Sequence, residues 1–276
     1  MSVPNCLTIA GVDPSGGAGV LADVKAMSAL GAYACAVIAA LTAQNTRVVT
    51  AIHTPPVDFV RRQIDTLFED VRIASVKVGM LGTAAVTREV ADGMAKWRPP
   101  FLVLDPVMVS KSGDPLLLAD AAAMLREALL PLANIVTPNL PEAGVLLDQR
   151  APETRKEMQR ACEKLREMLP HSSERWVLLK GGHLPGDEAL DLLFDGDRMY
   201  ELTAPRIDTK NTHGTGCTLS SAIAALLPQR PDVAAAVRDA KQYLTRAIAA
   251  AHRLDVGSGH GPVHHFHALW RADLER

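Results

Sequence analysis

Short apolar runs, each closed by Gly, Pro or Asp, alternate along this chain with longer segments whose apolar residues recur at helical spacing. The runs 6-CLTIAGVD-13, 75-SVKVGML-81, 101-FLVLDPV-107, 134-NIVTPN-139 and 176-WVLLKGG-182 read as buried strands. Helical periodicity fits 19–30, 57–70, 84–96, 118–130, 141–147, 153–169, 215–227 and 232–253. Strands separated by helices need crossover connections, so the expected fold is α/β, with a central, mainly parallel sheet and helices on both faces. The segment 187–207 reads instead as a hairpin turning at Asp195-Gly196-Asp197. No repeat or low-complexity linker divides the 276 residues, and a single domain over 1–276 is expected.

Composition narrows the function classes. The chain is 48% hydrophobic with only 4% aromatic residues, a mix suited to helices packed on a sheet. Its formal net charge is -2 with the two signs interspersed, which leaves no basic face for nucleic acid or an anionic membrane surface. No apolar run reaches membrane-spanning length, and 1-MSVPNCLTIAGVD-13 lacks a cationic start followed by a long apolar core. Cys6, Cys35, Cys162 and Cys217 show no CxxC spacing, so neither a disulfide frame nor a zinc knuckle is indicated. A soluble, cytoplasmic protein is expected.

In open parallel sheets, ligands bind beyond the carboxyl ends of the strands. Asp13, Gly79, Asp105, Asn139 and Lys180-Gly181-Gly182 all fall at or just past such ends. Two glycine-rich turns add to them. The first, 11-GVDPSGGAG-19, is not a Walker A loop, because Gly17-Ala18 stand where Lys-Ser/Thr would be needed, and no G-x-G-x-x-G can be read in it. It offers a turn whose backbone can approach a ligand closely, with Asp23 inside the first turns of the helix that follows. The second, Gly214-Thr215-Gly216-Cys217, runs into the small-residue helix 215–227. Its N–H groups and the positive end of that helix suit the spread negative charge of a phosphoryl group in transfer. Just before it, Lys210, Asn211 and His213 form a polar cluster with no packing reason to converge there.

Other residues complete a candidate site. Asp105 and Glu142 could hold Mg²⁺ through water beside ATP phosphates. Lys180 could supply a point charge near them. The Gln44 amide donates and accepts at once, which matches an amine next to a ring nitrogen on an aminopyrimidine. Met80 could pack on a flat ring, although a core methionine is the plainer reading. The four histidines of 260-HGPVHHFHALW-270 lack helical ligand spacing and nearby cysteines, so a packed tail fits better than a zinc site.

With 11-GVDPSGGAG-19, 43-AQNT-46, 79-GML-81, 105-DPVM-108, 112-SGDPLL-117, 138-PNLPEA-143, 180-KGGH-183, 209-TKNTHGTGCTLSSA-222 and 261-GPVHHFH-267 in order, the chain resembles the hydroxymethylpyrimidine/phosphomethylpyrimidine kinases of thiamin biosynthesis, within the ribokinase-like superfamily. That family is similar to pyridoxal kinases, which generally carry an aspartate where this chain has Cys217. The resemblance implies two ATP-dependent phosphorylations at one site, first of the pyrimidine alcohol and then of its monophosphate, together with Mg²⁺ and commonly a homodimer. Carried over by position, it implies that Gly11, Asp23, Gln44, Met80, Val107 and His213 line the pyrimidine pocket. Asn139, Lys180 and Thr215 would meet ATP, and Asp105 and Glu142 would sit with Mg²⁺. Gly214 to Cys217 would form the anion hole, with Lys180 beside it. Leu21 stands where relatives usually have glutamine.

A thiol at a helix N-terminus is expected to have a lowered pKa, so Cys217 is expected to act as a weak base toward the alcohol and to matter less for the anionic phosphate of the second step. Two other functions compete: a pyridoxal kinase, and a pyrimidine-binding protein without catalysis. The intact set of Asp105, Glu142, Lys180 and the glycine turn argues against the second. A nicotinamide-dependent oxidoreductase fails on the missing fingerprint.

Overall fold

A computed structural model describes residues 2–108, 119–170, 175–182 and 184–270. The motif 112–117 and His183 lie outside them.

The strands are β1 (Asn5–Val12), β2 (Tyr33–Gln44), β3 (Val49–His53), β4 (Ser75–Val78), β5 (Leu102–Leu104), β6 (Ile135–Val136), β7 (Trp176–Lys180), β8 (Glu188–Phe194) and β9 (Met199–Pro205). They form one sheet in the order β3-β2-β1-β4-β5-β6-β7-β8-β9. The ladders from β2 across to β7 are parallel, while β3 at one edge and β8 and β9 at the other are antiparallel. The expected hairpin at 187–207 is the β8–β9 pair.

The helices are α1 (Gly19–Ala29), α2 (Val57–Asp70), α3 (Ala84–Trp97), α4 (Ala119–Met124), α5 (Leu140–Leu147), α6 (Arg155–Glu167), α7 (Thr215–Leu226) and α8 (Val233–Ala249). The period-2 alternation of the strands explains why both faces are covered. Leu102 and Leu104 of β5 join the apolar cluster that holds α2, α3, α5 and α6. Val103 between them joins the cluster of α1, α7 and α8 on the other face. The expected helix 118–130 corresponds to α4 continued by a wider turn at Leu125–Leu129 and a tighter one at Leu130–Leu132; residue 118 lies outside the described chain.

Sequence reading missed β2 and β3. In 33-YACAVIAALTAQ-44 the alanines favour helix and carry little strand propensity. Parallel pairing along the whole of β1 overrides that preference, with a register shift where Gly11 faces Ala40.

Helix caps mark where the chain leaves donors available. Thr83, Asn139, Thr154 and Asp232 accept backbone N–H groups at the starts of α3, α5, α6 and α8, and Asn139 and Thr154 form capping boxes. α7 has no side-chain cap, and its N-cap is Gly214 in the left-handed conformation at φ 74°. The Thr215 N–H turns back to the Thr212 carbonyl at 3.4 Å, and those of Gly216 and Cys217 are left open to a ligand.

Candidate active site

The ends of β1, β5, β6 and β7 and the start of α7 enclose a cavity of about 690 Å³. Gly11, Gln44, Met80, Val107, Asp105, Asn139, Glu142, Lys180, His213 and Gly214 to Cys217 all line it. One end is a slot between Gly11, Gln44, Met80 and Val107. The other is a groove past Lys180 toward Arg206 and α8. The α7 turn packs against Gly17 at Gly214 and faces Lys180 and Asp105 at Gly216.

The two glycine-rich turns interlock there. A Cβ on Gly214 would overlap the Gly17 carbonyl oxygen, and one on Gly17 would overlap the His213 ring. His213 Nε2 lies 2.7 Å from Asp13 Oδ2, while Asp13 also accepts from Ser15 N and Oγ and from Ala18 N. Burial works against the Asp13 charge, but His213 and Ser15 hold its carboxyl below the usual range. His213 thus lines the cavity with its Nε2 engaged by Asp13. The polar cluster before the turn has a packing role as well: Asn211 Nδ2 donates to the Ala251 carbonyl.

In the slot, Gly11 has a steric reason. Its N–H donates to the Met80 carbonyl at 3.0 Å, and a Cβ there would stand 2.7 Å from Met80 Cε. The methionine side chain therefore lies flat against the backbone. The Thr42 hydroxyl is 2.9 Å from the Val12 carbonyl and 3.1 Å from Gln44 Oε1. Gln44 thus lines the slot with its Oε1 in contact with Thr42.

Across the cavity, Asp105 is held by Lys180 Nζ at 3.0 Å, Thr137 Oγ1 at 3.2 Å and Ser220 Oγ at 3.1 Å. Burial opposes its charge, but Lys180 and Lys77 keep its carboxyl below the usual range. Glu142 Oε2 accepts the Asn139 N–H at 2.7 Å and lies 4.0 Å from Lys180 Nζ. Burial pushes Glu142 up to about 7, with Lys180 opposing and Asp105 adding to the rise. A Cβ on Gly216 would come within 3.4 Å of Lys180 Nζ, so the ammonium sits directly under the anion turn.

Three expectations are overturned. Asp23 does not line the cavity: it is fully buried and bonded to Thr8, Lys77 and Ser221. Gly79 also lies away from the cavity lining, and what it does is make room for Lys77, whose Nζ would be 2.6 Å from a Cβ at that position. The Cys217 thiol departs from the helix-start rule. Burial pushes it up to about 11; Lys77 pulls it down, while Asp23 and Asp105 push it further up. Near neutral pH it is a thiol, not a thiolate. Alkylation of Cys217, assigned by peptide mass spectrometry, is accordingly expected to accelerate steadily from pH 7 to pH 10. A plateau near pH 7 would contradict this.

Sequence reasoning also missed what holds α7. Thr218 Oγ1 lies 3.0 Å from His265 Nε2, Ser220 reaches Asp105 and Ser221 reaches Asp23. The first turns of the helix are thus tied to the histidine tail, to the end of β5 and to α1. His265 is buried and, through burial and the charges of Lys25 and its histidine neighbours, held neutral with its pKa down at about 3. The tail is packed, as expected. The residues 218-TLSSA-222 had looked merely small.

Fold and site together define a small-molecule kinase of the ribokinase-like class. A family model described as phosphomethylpyrimidine kinase matches residues 13–264. Over 266 residues the chain is 52% identical to the hydroxymethylpyrimidine/phosphomethylpyrimidine kinase of Escherichia coli (strain K12), with 96% of this chain and 98% of that protein covered. Among solved structures, a phosphomethylpyrimidine kinase from Clostridium difficile 630 aligns with a TM-score of 0.78 at 40% identity, covering 89% of this chain and 99% of that one. The ADP complex of Bacillus subtilis pyridoxal kinase aligns with a TM-score of 0.86 at 32% identity, covering 96% and 98%. The chain belongs to the phosphomethylpyrimidine kinase family.

Proposed function

We propose that the protein transfers the γ-phosphoryl group of ATP to the alcohol of 4-amino-5-hydroxymethyl-2-methylpyrimidine, and then phosphorylates the monophosphate to the diphosphate at the same site, as a step of thiamin biosynthesis. One observation carries this reading: the uncapped start of α7 lines the same cavity as Gln44 and Met80, and its Gly216 faces Lys180 Nζ. An alcohol held in the slot and a triphosphate in the groove meet over donors that point at both.

Each residue then has a task. Gln44 Oε1 keeps a lone pair for the exocyclic amine while Nε2 donates to the adjacent ring nitrogen, and Met80 packs on the ring face. The N–H groups of Gly216 and Cys217 meet the equatorial oxygens, where charge spreads in a loose transition state. Lys180 follows the phosphates as a point charge. Mg²⁺ takes few protein ligands and is completed by phosphates and water, and the residues fit that role. Among the described residues the capping box uses only Oε2 of Glu142, leaving Oε1 for the cation. When bound, Mg²⁺ neutralises charge between the phosphates. With its pKa near 11, Cys217 positions the attacking oxygen instead of removing its proton, which a loose transition state allows.

Gln44→Leu tests the substrate assignment. It leaves the amine and ring nitrogen of the pyrimidine without partners, and the KM for the pyrimidine is expected to rise by about 10- to 100-fold. An unchanged KM would contradict the assignment. The second reading, pyridoxal phosphorylation, is favoured by the likeness to the Bacillus subtilis pyridoxal kinase. Pyridoxal lacks the aminopyrimidine edge, so Gln44→Leu would spare it.

A further inference from the structure

We infer that Lys77, which does not line the cavity, is a positioning residue for phosphoryl transfer, acting on the α7 turn through Asp23 and Ser221. The inference rests on the proposed kinase reaction but not on which alcohol is phosphorylated.

The geometry is as follows. Lys77 on β4 is completely buried, and its Nζ lies 2.7 Å from Asp23 Oδ2. Asp23, on α1, also accepts from Thr8 Oγ1 of β1 at 2.6 Å. Its other oxygen is 2.5 Å from Ser221 Oγ, and that hydroxyl is in turn 2.6 Å from the Cys217 carbonyl. One carboxylate therefore joins β1, β4, α1 and α7, and the last link ends on the backbone of the anion turn. Gly79 is shaped for this arrangement, since any side chain there would displace the ammonium.

A purely structural role explains the arrangement poorly. A buried ion pair seldom stabilises a fold more than well-packed apolar residues of the same volume. A cation under the N-terminus of a helix also works against the helix dipole. The field of Lys77 reaches Cys217 and favours an anion at the turn, with Asp23 and Asp105 opposing it, so what the buried pair offers the turn is chiefly a fixed position. Burial disfavours the charge of Lys77, yet Asp23 and Asp105 keep it firmly protonated. The cation is thus permanent, and Asp23 couples it to the orientation of Ser221 and the turn.

The test separates positioning from folding. Lys77→Met alone leaves Asp23 buried without its partner, so the paired variant Asp23→Asn with Lys77→Met is the informative one, because it removes both charges at nearly constant volume. Its folding is checked by thermal denaturation. Its kcat is expected to fall about 10- to 100-fold, the range for residues that orient a reactive group through another. Its KM for ATP should stay within about threefold, because only transition-state stabilisation is lost. Adding Ser221→Ala to the pair should change kcat little further, since both act along one path. A folded pair variant with wild-type kcat overturns the proposal, and so does a fully multiplicative loss on adding Ser221→Ala. If the pair variant fails to fold, Ser221→Ala alone decides: a wild-type kcat overturns the proposal, and a loss of kcat at constant KM supports it. All rates are compared with wild type on whichever alcohol it phosphorylates, so turnover of pyridoxal alone would remove the pyrimidine assignment and leave this test intact.

Discussion

Gly214→Ala is expected to lower kcat for both phosphorylations by about 100- to 1,000-fold, the effect of losing a preorganised oxyanion donor. Two independent facts drive it. Gly214 holds a φ of 74°, where a side chain is strained, and a Cβ would overlap the Gly17 carbonyl oxygen. The turn must then move away from the loop at 13–18, taking the N–H groups of Gly216 and Cys217 with it. Strain at one such residue costs on the order of 1–3 kcal/mol, so the variant should still fold. Retention of most of the wild-type kcat would mean that the turn is not where charge develops. Because the turn serves both steps, a loss confined to one of them would also contradict the account.

Lys180→Met is expected to have the largest effect on kcat/KM, a fall of about 1,000-fold, because the ammonium serves both the bound phosphates and the migrating group. It should also destabilise the protein. Asp105 is 1% exposed and would lose its closest cation. Breaking a buried pair from one side costs about 3–5 kcal/mol, and the remaining bonds from Thr137 and Ser220 place this case at the low end. Pairing Lys180→Met with Asp105→Asn should restore much of the stability, read by thermal denaturation, while activity stays low. Recovery of both together would mean that Lys180 is only a structural partner of Asp105.

The parts of this molecule that sequence made legible are those governed by local rules. α2 matches its expected bounds because its apolar period is regular, and α5 starts one residue before the expected 141. The glycine turns could be placed because they follow a strand or precede a small-residue helix. What was not legible depends on partners far away in the chain. Asp23 looked like a residue facing a ligand, but its role is fixed by Lys77, 54 residues on, and by Ser221, 198 residues on. His213 meets Asp13 across 200 residues. Nothing local announces either pair. Cys217 shows the same limit differently: the helix-start rule lowers a thiol pKa, but here burial and the nearby carboxylates of Asp23 and Asp105 outweigh it. β2 was missed because alanine takes its conformation from its neighbours, and its neighbour is a strand.

Mass spectrometry of the products formed by the purified protein with Mg²⁺ and ATP, with hydroxymethylpyrimidine in one reaction and pyridoxal in another, tests the central claim most directly. The account predicts conversion of the pyrimidine first to the monophosphate and then to the diphosphate, with pyridoxal phosphorylated more slowly. A pyrimidine left at the monophosphate, or pyridoxal phosphorylated faster, would contradict it.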